Sequence, residues 1–144
     1  MNFVAMTQPV RIDPKRGERS DYLDQRWTSL LSLAGLYPVA VPNNLVAVRA
    51  LLSQITISGI ILTGGGNLAA YGGNTPERDA VELYLINLAK KKRINLLGVC
   101  RGMQAIQHEM GVKLNQIQGH VKSKQEIEIS GTRQWVNSYH DFGC

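Results

Sequence analysis

Short apolar runs alternate along this chain with segments in which apolar residues recur every three or four positions. Four of the runs predict strands, at residues 2–7, 38–41, 58–63 and 94–99. The run at 58–63 is continuously apolar, which is typical of a parallel strand buried on both faces. Helical spacing between the strands is carried by Leu23, Trp27, Leu30 and Leu31, then Leu45, Val48, Leu51 and Leu52, then Val81, Leu85 and Leu88. Strands that alternate with helices predict an α/β fold with a doubly wound, mostly parallel sheet.

Polar residues and glycines mark the ends of these elements. We predict a charged loop at 11–20 and a helix that follows from Asp21 and stops at Gly35. Asn43 or Asn44 can cap the next helix. After Gly111 the pattern changes, and the alternation at 126–129 followed by an extended stretch at 134–138 predicts a hairpin.

Composition and charge fit one soluble domain spanning residues 1–144. The chain is 44% hydrophobic and 19% charged, it has no apolar run of membrane-spanning length, and it does not start like a signal peptide. We therefore expect a cytoplasmic protein with no membrane partner. The net charge is +5, but the basic residues are not interleaved with aromatic ones, so we expect no nucleic-acid partner. The basic run at 90–93 suits a helix end, where its positive field could also attract an anionic substrate.

The segment Gly98-Val99-Cys100-Arg101-Gly102-Met103-Gln104 joins a predicted strand to a predicted helix. A cysteine on a sharp strand-to-helix turn between glycines is how α/β enzymes present a nucleophile, because side chains at the glycine positions would crowd the turn. A lone cysteine is more often an inert packing residue. The two glycines favour the nucleophile instead.

The triple glycine 64–66 follows the strand before this one, so it lies at the same edge of the sheet as Cys100. Ligands of doubly wound sheets bind beyond the carboxyl ends of the strands. We therefore expect the glycines and Cys100 to share one pocket. With Cys144 as the second of two cysteines, and no zinc-ligand spacing, we expect neither a disulfide framework nor a metal or organic cofactor.

Four motifs together carry a family resemblance: Leu62-Thr63-Gly64-Gly65-Gly66-Asn67, Pro76-Glu77-Arg78-Asp79, the Cys100 segment, and Val136-Asn137-Ser138-Tyr139-His140. Over its whole length the chain resembles the class I glutamine amidotransferase-like superfamily, in its γ-glutamyl-γ-aminobutyrate hydrolase (peptidase C26) branch. Within that branch it is similar to the γ-glutamyl-CDP-amidate hydrolases, which act in building phosphoramidate-decorated surface polysaccharides. The resemblance implies a flavodoxin-like sheet and hydrolysis of a small-molecule γ-glutamyl amide.

The same resemblance implies roles for individual residues. Cys100 would attack the γ-carbonyl and form a γ-glutamyl thioester, with the oxyanion held by the backbone N–H groups of Gly65 and Arg101. His120 would be structural or lie at the pocket edge, and His108 is read as a surface residue without a partner. The residues implied to bind substrate are Gly64, Gly66, Gln104, Asn137, Ser138, Tyr139 and His140.

One departure from the family concerns the general base. Family members activate the cysteine with a His-x-Glu motif beyond the Asn-Ser-x-His segment, and none of the three histidines here has a glutamate two residues later. We expect a C-terminally truncated product or an inactive remnant of a hydrolase. His140 could substitute as the base, although the family uses it for substrate contact.

Three alternative functions stay open. The first is a glutaminase subunit that delivers ammonia to a synthetase partner, and the second is a degenerate domain that binds γ-glutamyl compounds or a protein. The third is a redox sensor in which Cys144 resolves a Cys100 sulfenate, which requires the C-terminus to reach the pocket. The leaving amine, the pathway and the oligomeric state, including a homodimer, are not written in these residues.

Overall fold

A four-stranded parallel sheet forms the centre of the protein. The computed structural model describes the backbone of residues 1–144 and the side chains of residues 1–121 and 124–144. The strands of this sheet are β1 (Asn2–Met6), β4 (Leu36–Ala40), β5 (Gly59–Leu62) and β6 (Asn95–Gly98), and they lie in the order β4-β1-β5-β6. The helices are α1 (Gln25–Leu33), α2 (Leu45–Gln54), α3 (Pro76–Lys92) and α4 (Arg101–Glu109). The predicted doubly wound α/β fold is confirmed.

The two faces of the sheet bury different residues because successive side chains of a strand point to opposite sides. On one face, Val4, Met6 and Ile61 pack with Leu31 of α1. On the other face, Ala5, Ile60 and Leu62 pack with residues of α2, α3 and α4, namely Val48, Leu52, Val81, Leu85, Ile86, Ala89 and Ala105. Helices therefore cover both faces, and all four residues of β5 are buried as predicted.

Small antiparallel pairs surround the central sheet. They are β2 (Val10–Ile12) with β3 (Arg19–Asp21), β7 (Asn115–Gln116) with β10 (Phe142–Gly143), and β8 (Val121–Ile129) with β9 (Thr132–Tyr139). The β8–β9 pair confirms the predicted hairpin, whose turn residues Ser130 and Gly131 both have positive φ. The central sheet ends at β6, where Leu97 is 53% exposed.

The interpretation of residues 11–20 as a loop was wrong at both ends. Residues 10–12 pair with 19–21, and only the turn between them is irregular. Asp13 stabilises that turn, since its carboxylate accepts hydrogen bonds from the backbone N–H groups of Lys15 and Arg16. The sequence did not indicate the hairpin because β3 is fully exposed and polar, and β2 has an exposed arginine between two half-buried residues.

The helix ends mostly follow the predicted signals. Helix α1 begins at Gln25 rather than Asp21, because Asp24 is its N-cap and accepts from the Arg26 N–H at 2.9 Å. Of the two candidates for capping α2, Asn44 is the cap. Helix α4 ends at Glu109 with Met110 as its C-cap, and Gly111 follows with φ +83°.

Candidate active site

Cys100 lies on the turn between β6 and α4 in a strained backbone conformation. Its φ and ψ are 53° and −109°, and its thiol is exposed. L-residues rarely adopt such angles, and a surrounding structure must hold them there. Its carbonyl accepts from the Gln104 N–H at 3.1 Å, so Cys100 is the N-cap of α4. The thiol thus stands at the start of a helix, presented to solvent at the carboxyl edge of the sheet.

The flanking glycines leave no room for a side chain. A Cβ on Gly98 would lie 2.6 Å from the backbone of Gly102, and a Cβ on Gly102 would lie 2.1 Å from the carbonyl oxygen of Leu62. The expected crowding is therefore present. It comes from the backbone of the turn and of β5, which α4 approaches closely.

The glycine loop after β5 lies beside Cys100. A Cβ built on Gly64 would come within 3.3 Å of the Cys100 Cβ and 3.9 Å of its Sγ. Gly65 and Gly66 follow with φ of +96° and +73°, which glycine adopts without strain. Strands β5 and β6 are neighbours in register, so their ends bring the loop and the thiol together.

Beneath the loop lies a buried ionic cluster that the sequence reading missed. It comprises Arg78, Asp79 and Glu82 of α3 and Arg101 of α4. Arg78 donates to Glu82 at 2.8 Å, and Arg101 donates to both Glu82 and Asp79. Burial lowers the pKa of Arg78 from its usual value, while the Glu82 carboxylate opposes that shift. The sequence motifs contain Arg78, Asp79 and Arg101 but give no sign that these residues form a buried cluster.

Gln104 and the C-terminal segment meet at the carbonyl of Phe142. The buried Gln104 donates from Nε2 to this oxygen at 2.8 Å, and His140 Nδ1 lies 3.0 Å from it. A carbonyl only accepts, so His140 carries its proton on Nδ1. Its Nε2 lies 3.4 Å from Nδ1 of His120. Both ring nitrogens of His140 therefore have partners other than Cys100, namely the Phe142 carbonyl and His120.

The three residues before His140 differ in their exposure to solvent. Asn137 and Tyr139 are exposed on β9, whereas Ser138 is only 6% exposed. Its Oγ is buried and has no hydrogen-bond partner among the residues whose side chains the structure describes. A buried hydroxyl without a partner is a position where a ligand group can bind.

His108 has a partner, contrary to our expectation. Its Nδ1 lies 3.1 Å from the Tyr71 hydroxyl, and the two rings meet edge to face. The Tyr71 hydroxyl also accepts from the Leu114 N–H, and its ring contacts Phe142. His108 is nevertheless exposed, so its surface placement is correct.

A separate cleft of about 220 Å³ lies between α3 and α4. It is lined mainly by apolar side chains, among them Leu68, Ala80, Leu83, Ile86 and Ala105. Cys100 does not line it. Within the described part of the chain, no group of three His, Cys, Asp or Glu side chains could hold a metal ion, and no helix is long and apolar enough to cross a membrane.

Comparison with known proteins identifies the family. Residues 4–143 match the peptidase C26 family. The chain belongs to this family. It is 34% identical over 97% of its length to the γ-glutamyl-CDP-amidate hydrolase of Campylobacter jejuni, and it covers 70% of that protein. It is 32% identical over 63% of its length to the γ-glutamyl-γ-aminobutyrate hydrolase of Escherichia coli O157:H7, of which it covers 40%.

A third relative is the putative glutamine amidotransferase-like protein YvdE of Lactococcus lactis, 32% identical over 56% of this chain and 39% of that protein. Two of these three relatives are named hydrolases. The family resemblance read from the motifs, and the hydrolase class it implied, are therefore confirmed.

Proposed function

We propose that the protein hydrolyses a γ-glutamyl amide with Cys100 as the nucleophile. The observation that carries the proposal is the strained, exposed cysteine at the start of α4, beside a glycine loop and between two glycines that admit no side chain. Membership of the peptidase C26 family and the names of its hydrolase relatives supply the substrate class.

The chemistry proceeds in two steps. The Cys100 thiolate adds to the γ-carbonyl carbon, and the carbonyl oxygen takes the negative charge, held by the N–H groups of Gly65 and Arg101. The C–N bond then breaks, the amine leaves with a proton, and a γ-glutamyl thioester remains. Water adds to the thioester, the C–S bond breaks, and the acid and the thiol are released.

Substrate contacts are part of the same proposal. Gly64 lies beside the thiol, and Gly66 and Gln104 would contact the glutamyl chain. Asn137, Ser138, Tyr139 and His140 would bind the amino and carboxylate ends of the glutamyl group. The buried Ser138 hydroxyl, which has no hydrogen-bond partner among the described side chains, supports such a role. His140 is a poor candidate for the base, since its ring nitrogens face Phe142 and His120.

The identity of the leaving group is the most specific part of the proposal. The Campylobacter relative, similar over nearly the whole chain, favours a γ-glutamyl-CDP-amidate as the substrate. A place in surface polysaccharide phosphoramidate biosynthesis, which the family resemblance implies, is part of the same proposal. The experiment measures the rate of glutamate release by mass spectrometry for three substrates: γ-glutamyl-CDP-amidate, γ-glutamyl-γ-aminobutyrate and glutamine. The three rates rank the leaving groups.

Covalent labelling tests the nucleophile. The glutamine analogue 6-diazo-5-oxo-norleucine should add once to the wild type and to Cys144→Ala, and not to Cys100→Ala, as read by intact mass. Cys144 is the matched control because it is also an exposed free cysteine. Iodoacetamide, which has no glutamyl group, should label both thiols. A folded protein without the glutamine-analogue adduct, or with the adduct on Cys144, would overturn the proposal.

A further inference from the structure

Arg78 binds the glycine loop through its carbonyl oxygens. The side chain is 1% exposed and lies in the first turn of α3. Its Nη2 donates to the carbonyls of Thr63 at 2.6 Å and Gly64 at 3.0 Å, and its Nη1 donates to the carbonyl of Gly65 at 2.8 Å. Three successive peptide groups are therefore tied to one guanidinium, whose planar fork of donors fits such an arrangement.

Fixing these carbonyls also fixes the N–H groups of the loop. In a trans peptide the C=O and the following N–H point in opposite directions, and no peptide of the described chain is cis. The N–H groups of Gly65 and Gly66 must therefore point away from Arg78. Gly64 lies beside Cys100, since a Cβ built on it would come 3.3 Å from the Cys100 Cβ. Arg78 thus fixes the direction of the loop donors, which point away from the buried guanidinium at the exposed residues Gly65 and Gly66.

The second donor of the proposed oxyanion site is connected to the same cluster. It is the N–H of Arg101, whose side chain is fully buried and donates to Glu82. Glu82 also accepts from Arg78 and from the Thr7 hydroxyl. One carboxylate therefore joins the arginine that holds the loop to the arginine that follows the nucleophile.

We propose that Arg78 is a positioning residue of the reaction, which aligns the N–H groups of the glycine loop for the oxyanion and is held in register with Arg101 by Glu82. This inference rests on the proposed function. Loss of one oxyanion donor typically costs about 10²–10³-fold in rate. A misaligned donor should therefore weaken binding of an oxyanion while leaving thiol chemistry that forms none unchanged.

The test compares two reactions of the same thiol. In 5-oxopentanoate an aldehyde stands in the place of the γ-carbonyl of the glutamyl group, and the carboxylate matches its α-carboxylate. Cys100 Sγ adds to the aldehyde carbon, the C=O π bond opens, and the oxygen takes the charge and then the thiol proton. Alkylation by iodoacetamide displaces iodide and forms no oxyanion. In Arg78→Lys, which keeps the charge but loses the fork, aldehyde affinity should fall at least 10-fold, and alkylation of Cys100 should change less than 2-fold.

Arg19→Lys is the matched control. Arg19 also pairs with an acid in the first turn of α3, Glu77, but on the surface and without touching the glycine loop. It should leave both reactions unchanged. Equal aldehyde affinity in Arg78→Lys and the wild type would overturn the inference.

A second variant tests the same inference if Arg78→Lys does not fold. Glu82→Gln keeps the shape of the carboxylate but removes the charge shared by the two arginines, and it should lower aldehyde affinity at least 3-fold with alkylation unchanged. Unchanged affinity there would equally overturn the inference. A wild-type protein that forms no aldehyde adduct would overturn the proposed function, and the role of Arg78 with it.

Discussion

Gly102→Ala should damage both stability and the site, although alanine is ordinarily the better helix residue. At a helix interior alanine is favoured over glycine by about 1 kcal/mol. Here the added Cβ would lie 2.1 Å from the carbonyl oxygen of Leu62 and 2.6 Å from its Cβ. Favourable contacts require about 3.5 Å, so α4 and β5 must separate by about 1.4 Å at the closest contact.

The magnitude follows from setting these two effects against each other. Overpacking costs about 1–3 kcal/mol, and the upper end applies because the clash is with backbone of a central strand. After the gain in helix propensity, we expect Gly102→Ala to lower the free energy of unfolding by about 2 kcal/mol, a Tm decrease of roughly 8 °C. A displacement of about 1 Å also costs about 10²-fold in reactions that depend on alignment. Labelling of Cys100 by the glutamine analogue should slow accordingly.

Gly111→Ala is the control on the same helix. Gly111 has φ +83° with open space around a Cβ, so alanine should cost about 1 kcal/mol through backbone strain alone. It should not slow the labelling. Thermal melts and labelling time courses measure both effects. A Gly102→Ala protein as stable as the wild type, or labelled at the wild-type rate, would refute the steric account of the turn.

Two further predictions concern regions away from the thiol. Hydrogen bonds from Arg26 lower the pKa of Asp24 to about 2 from an ordinary 3.8, so the stabilisation from this cap is present above pH 3.8 and lost as pH falls through about 2. An NMR titration should find that midpoint in the wild type and a higher one in Arg26→Ala, and equal midpoints would contradict it. Tyr71→Phe removes two hydrogen bonds, one of them to His108, and should lower the free energy of unfolding by about 1 kcal/mol in urea titrations. Tyr84→Phe is the control, because it keeps the stacking of the Arg49 guanidinium on that ring. It should cost less, and equal losses would argue against a role for the Tyr71 hydroxyl.

The elements that could be predicted are those whose signals lie close together in the sequence. The apolar run of β5 and the helical spacing of α3 can each be recognised within one short segment of the sequence. The turn at Cys100 can be recognised in the same way. Gly98 and Gly102 lie two residues to either side of it, and they indicate that the turn has no room for side chains there. A motif of seven residues therefore identified the candidate nucleophile.

The buried ionic cluster could not be found in this way. Charged residues in the first turn of a helix ordinarily complement the helix dipole in solvent, and Glu77 does lie near the surface. Arg78 and Glu82 are instead buried, because their partners come from the loop after β5 and from α4. Only the folded chain brings these groups together, so their local sequence gives no sign of burial.

The end of β5 explains why the turn and the cluster belong to one unit. The Leu62 carbonyl accepts from the Val99 N–H at 2.9 Å and also limits the approach of Gly102. The next carbonyl, that of Thr63, accepts from Arg78. A shift at this strand end would therefore loosen the strained turn and the glycine loop together. Buried charges of this kind are costly to separate, about 3–5 kcal/mol when one partner is lost. That penalty resists the relaxation that the positive φ of Cys100 would otherwise favour, so the cluster helps to keep the thiol presented.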